Sequence, residues 1–369
     1  MTELFEAVGN MHMHTPYSDG EGSHADIADA AIAAGLDFII VTDHNIWLEG
    51  LEGYYENENG RVLILIGEEV HNVRRVPQAS HFLVYGAERE MFPFAADPQR
   101  LINETKAAGG YGFLAHPIER PPEPLLNMPN LGWHDWEIEG YTGLEIWNYM
   151  SSFVDEIKKR VAKLPLRIEL LGKLTAVLLA LNPQKYIIAP PAETLALWDK
   201  HLSDGEHIFA VGNSDAHATP MNFGPLHRII FPYEFLFRAV NTHILIPEPF
   251  NGDLAHDKRL VLQAVGRGHS WVGYDMAHPT KGFRFTGQGI NKGQIGDTIR
   301  LDVGATLQIK TPEKAHIKLI HRGAVVAQVE NDTHLTHIPV EEGAYRVECT
   351  IPYAGAERGW IYSNPIFLY

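Results

Sequence analysis

Ala7-Val8-Gly9-Asn10-Met11-His12-Met13-His14 and Leu36-Asp37-Phe38-Ile39-Ile40-Val41-Thr42-Asp43-His44-Asn45 are two apolar runs that end in polar side chains able to bind a metal. The first reads as a short strand. Successive side chains on a strand point to opposite faces, so His12 and His14 leave one face about 7 Å apart while Met13 points away. Two imidazoles on one face suit a divalent ion. Four residues past His14, Ser18-Asp19-Gly20 forms a turn that can carry a carboxylate back over the pair.

Between the two runs the spacing predicts a helix. Ser23 is placed as its N-cap, and Asp26 sits where acid complements a helix N-terminus. Ile27, Ala28, Ala31 and Ile32 form an apolar stripe, and Gly35 is the expected stop. The second run reads as a buried parallel strand. Strand, helix and strand make one βα repeat of an α/β fold, where chemistry collects at the C-terminal ends of the strands. The HxH pair and His44 then share one rim.

The same pattern recurs downstream. Arg61–Ile66 is an apolar run ending in Gly67-Glu68-Glu69-Val70-His71, and alternation alone does not rank Glu68 against Glu69. Ser80-His81 opens a short strand, Tyr111–Ala115 leads into His116-Pro117, and Tyr141–Tyr149 contains Leu144-Glu145-Ile146-Trp147-Asn148. Ile208–Asn213 runs into Ser214-Asp215-Ala216-His217. One histidine on a strand is ordinarily a core or surface residue. Repeated at equivalent strand ends, the set His12, His14, Asp19, His44, one of Glu68 and Glu69, His81, His116, Asp215 and His217 predicts a metal centre.

Residues 151–205 change character, being rich in Lys, Arg and Leu at helical spacing. They are expected to form an amphipathic insertion over one end of the main domain, with a substrate lid as the alternative. From about Lys281 the period switches to 2, in Thr298–Val303, Thr306–Lys310, His316–Ile320, Val325–Val329, Gly343–Cys349 and Trp360–Phe367. The expected organisation is an α/β domain over 1–280 and a small antiparallel β-sandwich over 281–369. Edge strands leave a homo-oligomer open.

Composition narrows the function. A formal net charge of −16 disfavours a nucleic-acid polymer as partner, since phosphate binding wants a basic footprint. Cys349 is the lone cysteine, which excludes an internal disulfide or a thiolate metal site. The N-terminal residues lack the basic and apolar regions of a signal peptide. Leu170–Leu181, the most apolar stretch, contains Lys173 and is too short to span a bilayer. A cytoplasmic protein without a membrane partner is expected.

His12-Met13-His14-Thr15, Thr42-Asp43-His44, Gly67-Glu68-Glu69-Val70, His81, Ala115-His116-Pro117 and Ser214-Asp215-Ala216-His217 resemble, in order, the motifs of the PHP (polymerase and histidinol phosphatase) superfamily. The tail Arg358-Gly359-Trp360-Ile361-Tyr362-Ser363-Asn364-Pro365-Ile366 resembles the ending of a carbaryl-hydrolase-like branch. The resemblance implies a distorted (β/α)7 barrel with two or three ions at its rim. It implies that His12, His14, Glu69 and Asp215 hold one ion, Asp19, His44 and His217 a second, and Glu69, His81 and His116 a third.

Imidazole and carboxylate ligands suit Zn, Fe or Mn. Two such ions sharing a water lower its pKa towards 7, and the resulting hydroxide can attack a phosphate ester. The expected function is a metal-dependent phosphoesterase acting on a small phosphate ester. Glu69, Asp215 and His217 are its expected catalytic core, and Arg120 and Arg228 are candidates to hold a phosphate oxygen. The alternatives are hydrolysis of a carboxylic or carbamic ester, favoured by an apolar pocket lined by Trp47, Trp147 and residues of the 151–205 insertion, and a metal-bound interaction module without catalysis.

Overall fold

The computed structural model describes residues 4–166, 168–223, 226–302 and 304–369. Strand β1 (Phe5–Asn10) leads through the turn carrying Asp19 into α1 (His24–Ala34) and then β2 (Phe38–Val41). Helix α1 is bounded by its own sequence: Ser23 and Asp26 exchange hydrogen bonds in a capping box, and Gly35 ends it at φ 81°, a conformation that strains residues with a side chain. All of β2 is buried, as a strand covered on both faces must be. There follow β3 (Gly53–Asn57), β4 (Gly60–Val70), β5 (Phe82–Tyr85), α2 (Pro98–Ala107), β6 (Tyr111–Leu114) and β7 (Gly143–Asn148).

The stretch expected as a helical insertion forms α3 (Tyr149–Val161), α4 (Glu169–Ala180) and α5 (Ala192–Ser203), with α3 continuing directly from β7. Then come β8 (Phe209–Asn213), the hairpin of β9 (Thr219–Phe223) and β10 (Leu226–Ile230), α6 (Tyr233–Phe237), β11 (Val240–Ile246), α7 (Leu254–Gly266) and β12 (Ser270–Tyr274).

β1, β2 and β4 lie side by side and parallel, as do β6, β7 and β8. β5 joins the two sets and runs antiparallel to both of its neighbours, β4 and β6. The strand–helix repeat of the first unit therefore breaks at β5, which no helix connects to β4. Because β5 is reversed, its beginning lies where the other strands finish, and His81 joins the rim that carries His44 and Glu69. On the far side β8 returns to β1: His14 N donates to Ala216 O at 2.9 Å and Met11 N to Asn213 Oδ1 at 3.0 Å.

β11 and β12 extend the sheet beyond β1. The run Asn241-Thr242-His243 conceals β11 from any reading by hydrophobic period. Its polar groups are used internally, Thr242 Oγ1 donating to Gly212 O at 2.9 Å.

The β-rich region comprises β13 (Arg284–Gln288), β14 (Lys292–Gln294), β15 (Thr298–Ile299), β16 (Thr306–His321), β17 (Ala324–His337), β18 (Gly343–Tyr353), β19 (Ala356–Ser363) and β20 (Ile366–Leu368). Val303, at the end of the strand expected from Thr298, lies outside the described residues. β16 runs antiparallel between β17 and β18, and among the described residues β17 pairs with β16 alone. The sheet is continuous across residue 280, since β12 pairs with β19. The cores interlock there too: Leu245 and Trp271 enter the second core, while Tyr362 and Phe367 enter the first. The tail is a clasp. Asn364 accepts from Ala210 N at 2.7 Å and donates to Ala210 O at 3.0 Å, and Trp360 Nε1 donates to His278 O at 2.7 Å.

Candidate metal centre

The strand ends and turns bring His12, His14, Asp19, His44, Glu69, His81, His116, Asp215 and His217 together in overlapping groups. Asp19 arrives by the predicted turn. Ser18 N and Gly20 N both donate to Thr15 O at 3.0 Å, and Gly20 packs so tightly that an added Cβ would lie 2.0 Å from His14 O. β4 settles the choice its sequence left open. Glu69 faces the histidines, whereas Glu68 points to the other side, accepting from Met91 N at 2.6 Å and Phe92 N at 3.0 Å. His116 and Asp215 hold positive φ angles of 28° and 57°, the kind of backbone conformation that tends to cluster at functional sites.

His12, His14, Glu69 and Asp215 form the tightest group. His12 Nε2 lies 3.0 Å from Glu69 Oε2 and 3.3 Å from Asp215 Oδ1, and His14 Nε2 lies 3.2 Å from each of the same two oxygens. Despite these distances His12 Nε2, His14 Nε2 and Glu69 Oε2 are buried without an aligned hydrogen bond. These atoms and a carboxylate oxygen of Asp215 all lie within 4.8 Å of one another. A tetrahedral ion with ligands at about 2.0–2.1 Å sets its ligand atoms roughly 3.3 Å apart, which these separations match.

Glu69 is shared. Its Oε2 also approaches His44 Nδ1 at 3.2 Å, while its Oε1 faces His81 Nδ1 at 2.8 Å and His116 Nε2 at 3.3 Å. Asp19 completes another group, with Oδ1 3.2 Å from His217 Nε2 and Oδ2 3.7 Å from His44 Nε2. His14 adjoins that group, and His71 gathers with His44 and His81.

The electrostatics favour cations. Burial opposes charge on His14, yet Asp215 and Glu69 outweigh it and raise its pKa to about 9. Burial likewise opposes ionisation of Glu69, and the surrounding imidazoles, His12 foremost, more than compensate, holding it well below the usual carboxylate range. His44 is pushed down to about 3, chiefly by burial, which leaves a neutral imidazole with a lone pair to offer.

A family profile described as "PHP domain" matches residues 10–126. That stretch of the chain is similar to PHP domains. One curated relative, a DNA polymerase/3'-5' exonuclease PolX of Bacillus subtilis, is 27% identical over 96 residues, a stretch spanning 25% of this chain and 15% of the polymerase. Among solved structures, a two-domain protein from Bacteroides vulgatus containing a predicted PHP-like metal-dependent phosphoesterase aligns at TM-score 0.44 and 15% identity, over 98% of this chain and 96% of that one. The lesion-specific endonuclease PfuEndoQ of Pyrococcus furiosus aligns at TM-score 0.36 and 14% identity, over 71% of this chain and 56% of that one.

Around this cluster of histidines and acids lies a layer of partners that the sequence did not single out. Glu145 Oε1 lies 2.9 Å from His12 Nδ1, so the proton sits on that side of the ring and Nε2 stays free to bind. Its Oε2 accepts from His116 N at 3.0 Å and from Asn148 Nδ2 at 2.9 Å. Asp43 ties down the Asp19 turn, accepting from Thr15 N at 2.8 Å and Ser18 Oγ at 2.6 Å. The available signal was a carboxylate inside an apolar strand, where only a specific partner makes burial tolerable.

The centre opens into a cleft of about 310 Å³. One wall is apolar, formed by Met128, Pro129, Leu131, Met150 and Val154, and Lys158 is the cation that lines it. Lys158 is buried and paired with Glu119 at 3.2 Å, which in turn lies 3.6 Å from His116 Nδ1. Neither arginine expected at the site lines this cleft. Arg120 borders a neighbouring cavity, its backbone N–H donating to Asp155 Oδ1 at 3.0 Å, and Arg228 is exposed on the β9–β10 hairpin. The tryptophans expected around an apolar pocket are also elsewhere. Trp147 is fully buried against Tyr274 and Tyr362, and Trp47 does not line the cleft.

Proposed function

We propose that the chain is a metal-dependent phosphoesterase that hydrolyses a small phosphate ester at a two- or three-ion centre. The observation that carries this reading is the division of Glu69, whose Oε2 faces His12, His14 and His44 while Oε1 faces His81 and His116. His12, His14, Glu69 and Asp215 would hold one ion, Asp19, His44 and His217 a second, and Glu69, His81 and His116 a third. The donor set of imidazole and carboxylate fits Zn, Fe or Mn. Bound ions of this kind polarise a phosphoryl group and make water acidic enough to react near neutral pH.

The chain's own residues do the rest. Glu145 fixes the His12 tautomer, and Asp43 holds the turn that delivers Asp19. Lys158 offers an ammonium to the non-bridging oxygens, the role expected of Arg120 and Arg228. The wall of Met128, Leu131 and Val154 receives the organic part of the ester and keeps water from it. We read β1, β2, β4, β5, β6, β7 and β8 as a distorted (β/α)7 barrel, within a domain of residues 1–280 that carries residues 281–369 as an appended β-sandwich.

The names of PolX and PfuEndoQ raise DNA as a substrate. A net charge of −16 and a cleft of about 310 Å³ support a small ester instead. The apolar wall also supports a second reading, hydrolysis of a carboxylic or carbamic ester. Elemental analysis followed by parallel turnover of aryl phosphates and aryl esters separates the two. Faster phosphate turnover is expected. Preference for the ester favours the second reading, and inertness towards both would point to a metal-bound interaction module.

A further inference from the structure

Helix α4 has two sides, and the fold uses one of them. Gly172, Leu179 and Ala180 are buried, Gly172 so close to the loop before it that an added Cβ would lie 3.0 Å from Leu126 Cδ2. On the other side Leu170, Leu174, Leu178 and Leu181 are exposed by 62%, 42%, 55% and 51%. Their spacing places them on one stripe of the helix. Leu166 and Ile168 just before the helix, and Ile188 after it, are exposed as well. A single exposed leucine needs no explanation, but a row of them does.

The charge around this stripe runs against that of the molecule. Residues 149–185 hold seven Lys and Arg against three Asp and Glu, in a chain of net charge −16. The side chains of Lys159, Arg160 and Lys173 are exposed by 40%, 44% and 54%. Lys163 and Lys185 are exposed as well. Lys159 and Lys173 pair with Glu156 and Glu169 along their own helices, contacts weak enough in water to yield to a stronger anion.

We infer that this face docks on the surface of an anionic lipid bilayer. The leucine stripe enters the boundary between headgroups and acyl chains, and the surrounding Lys and Arg meet the lipid charges. A second copy of the chain is the poorer occupant, because pairing through α4 would bring two net-positive segments together. Spanning length, the ground on which a membrane was discounted from the sequence, does not bear on a helix lying in the interface. No helix among the described residues is long and apolar enough to cross a membrane, so the attachment is peripheral. The opposite, buried side of α4 packs on the segment that leads into the cleft. Leu125 and Leu126, on which Gly172 packs, lead into Asn127, Met128 and Pro129 of its lining, and α3 carries Lys158 into it.

Flotation of the full chain with vesicles tests this, using phosphatidylcholine alone or with roughly 30% phosphatidylserine at about 0.1 M salt. The chain is expected to float with the charged vesicles at least about tenfold more than with the neutral ones, and to lose binding as salt rises to roughly 0.5 M. Leu174→Gln combined with Leu178→Gln should abolish flotation while leaving the melting temperature and metal content unchanged. Lys163→Glu with Lys185→Glu, which leaves α4 untouched, should weaken flotation of a normally folded protein. Failure of the parent chain to float on charged vesicles overturns the proposal. So does undiminished flotation of both variants. A dimer in sedimentation velocity that the leucine variant dissolves would assign the face to a second copy and overturn it as well.

Discussion

Glu69 spends one oxygen on each half of the centre, so its loss should be felt by more than one ion. Glu69→Gln is expected to lower the bound metal by at least one ion per chain and turnover by about a hundredfold or more, with an unchanged far-UV spectrum. Full metal content in that variant would count against the shared-ligand geometry. Glu145 acts one step further out, through the His12 ring. Glu145→Gln should weaken metal affinity by about 10–100-fold, read by competition with a chelator of known affinity. Gly20→Ala forces a Cβ to within 2.0 Å of His14 O, so the turn must shift and Asp19 with it. The expected result is reduced ion stoichiometry in a protein that still folds. The histidines and acids were legible at this scale because each follows or opens a strand whose apolar run announces itself. Lys158 was not, since in Lys158-Lys159-Arg160 nothing distinguishes the one cation that turns inward. Arg120 and Arg228 misled for the complementary reason: residue type gives the charge but not its direction.

Among the elements, β1, β11 and β12 are clasped to the β-rich region by a buried ionic group. His243 on β11 lies 3.0 Å from Glu6 Oε1 and 2.9 Å from Asp275 Oδ2, and Arg284 reaches Glu6 Oε2 at 2.8 Å. Burial works against the charge on His243, but Asp275 and Glu6 raise its pKa to about 9, while those two carboxyls are held below their ordinary values. A raised histidine contributes stability that is complete below its unfolded pKa and vanishes as pH rises through about 9. The depressed carboxyls contribute above their unfolded pKa and lose that contribution as pH falls. The clasp should therefore be strongest between roughly pH 4.5 and 6.5. His243→Gln, which takes from buried Asp275 its cationic partner, should cost about 3–5 kcal/mol there, with the gap in melting temperature from the parent closing above about pH 9. A gap independent of pH would mean that the contribution is one of packing. Helix α1 was readable to the residue because its capping box and Gly35 are local signals. β11 was not, because its polar centre is satisfied by distant strands, and neither was the reversal of β5, since a strand's direction is set by its partners.

For the molecule as a whole, the switch of period near Lys281 marks a real change of architecture but not a place where the sheet stops. β12 pairs with β19, and each core borrows side chains from the other region. The 369-residue chain is accordingly expected to melt in a single calorimetric transition. Two resolved transitions would mean that the seam between β12 and β19 is too weak to couple the regions.

The long β17 leaves one flank without a neighbouring strand among the described residues, a row of backbone donors and acceptors on which a stray chain could template itself. Glu330 and Asp332 are exposed on that strand, and its register slips on either side of the pairing between Ala315 and Asp332. Charge and irregularity together roughen what would otherwise be a flat seed for fibrils. They leave the hairpin long without making it sticky.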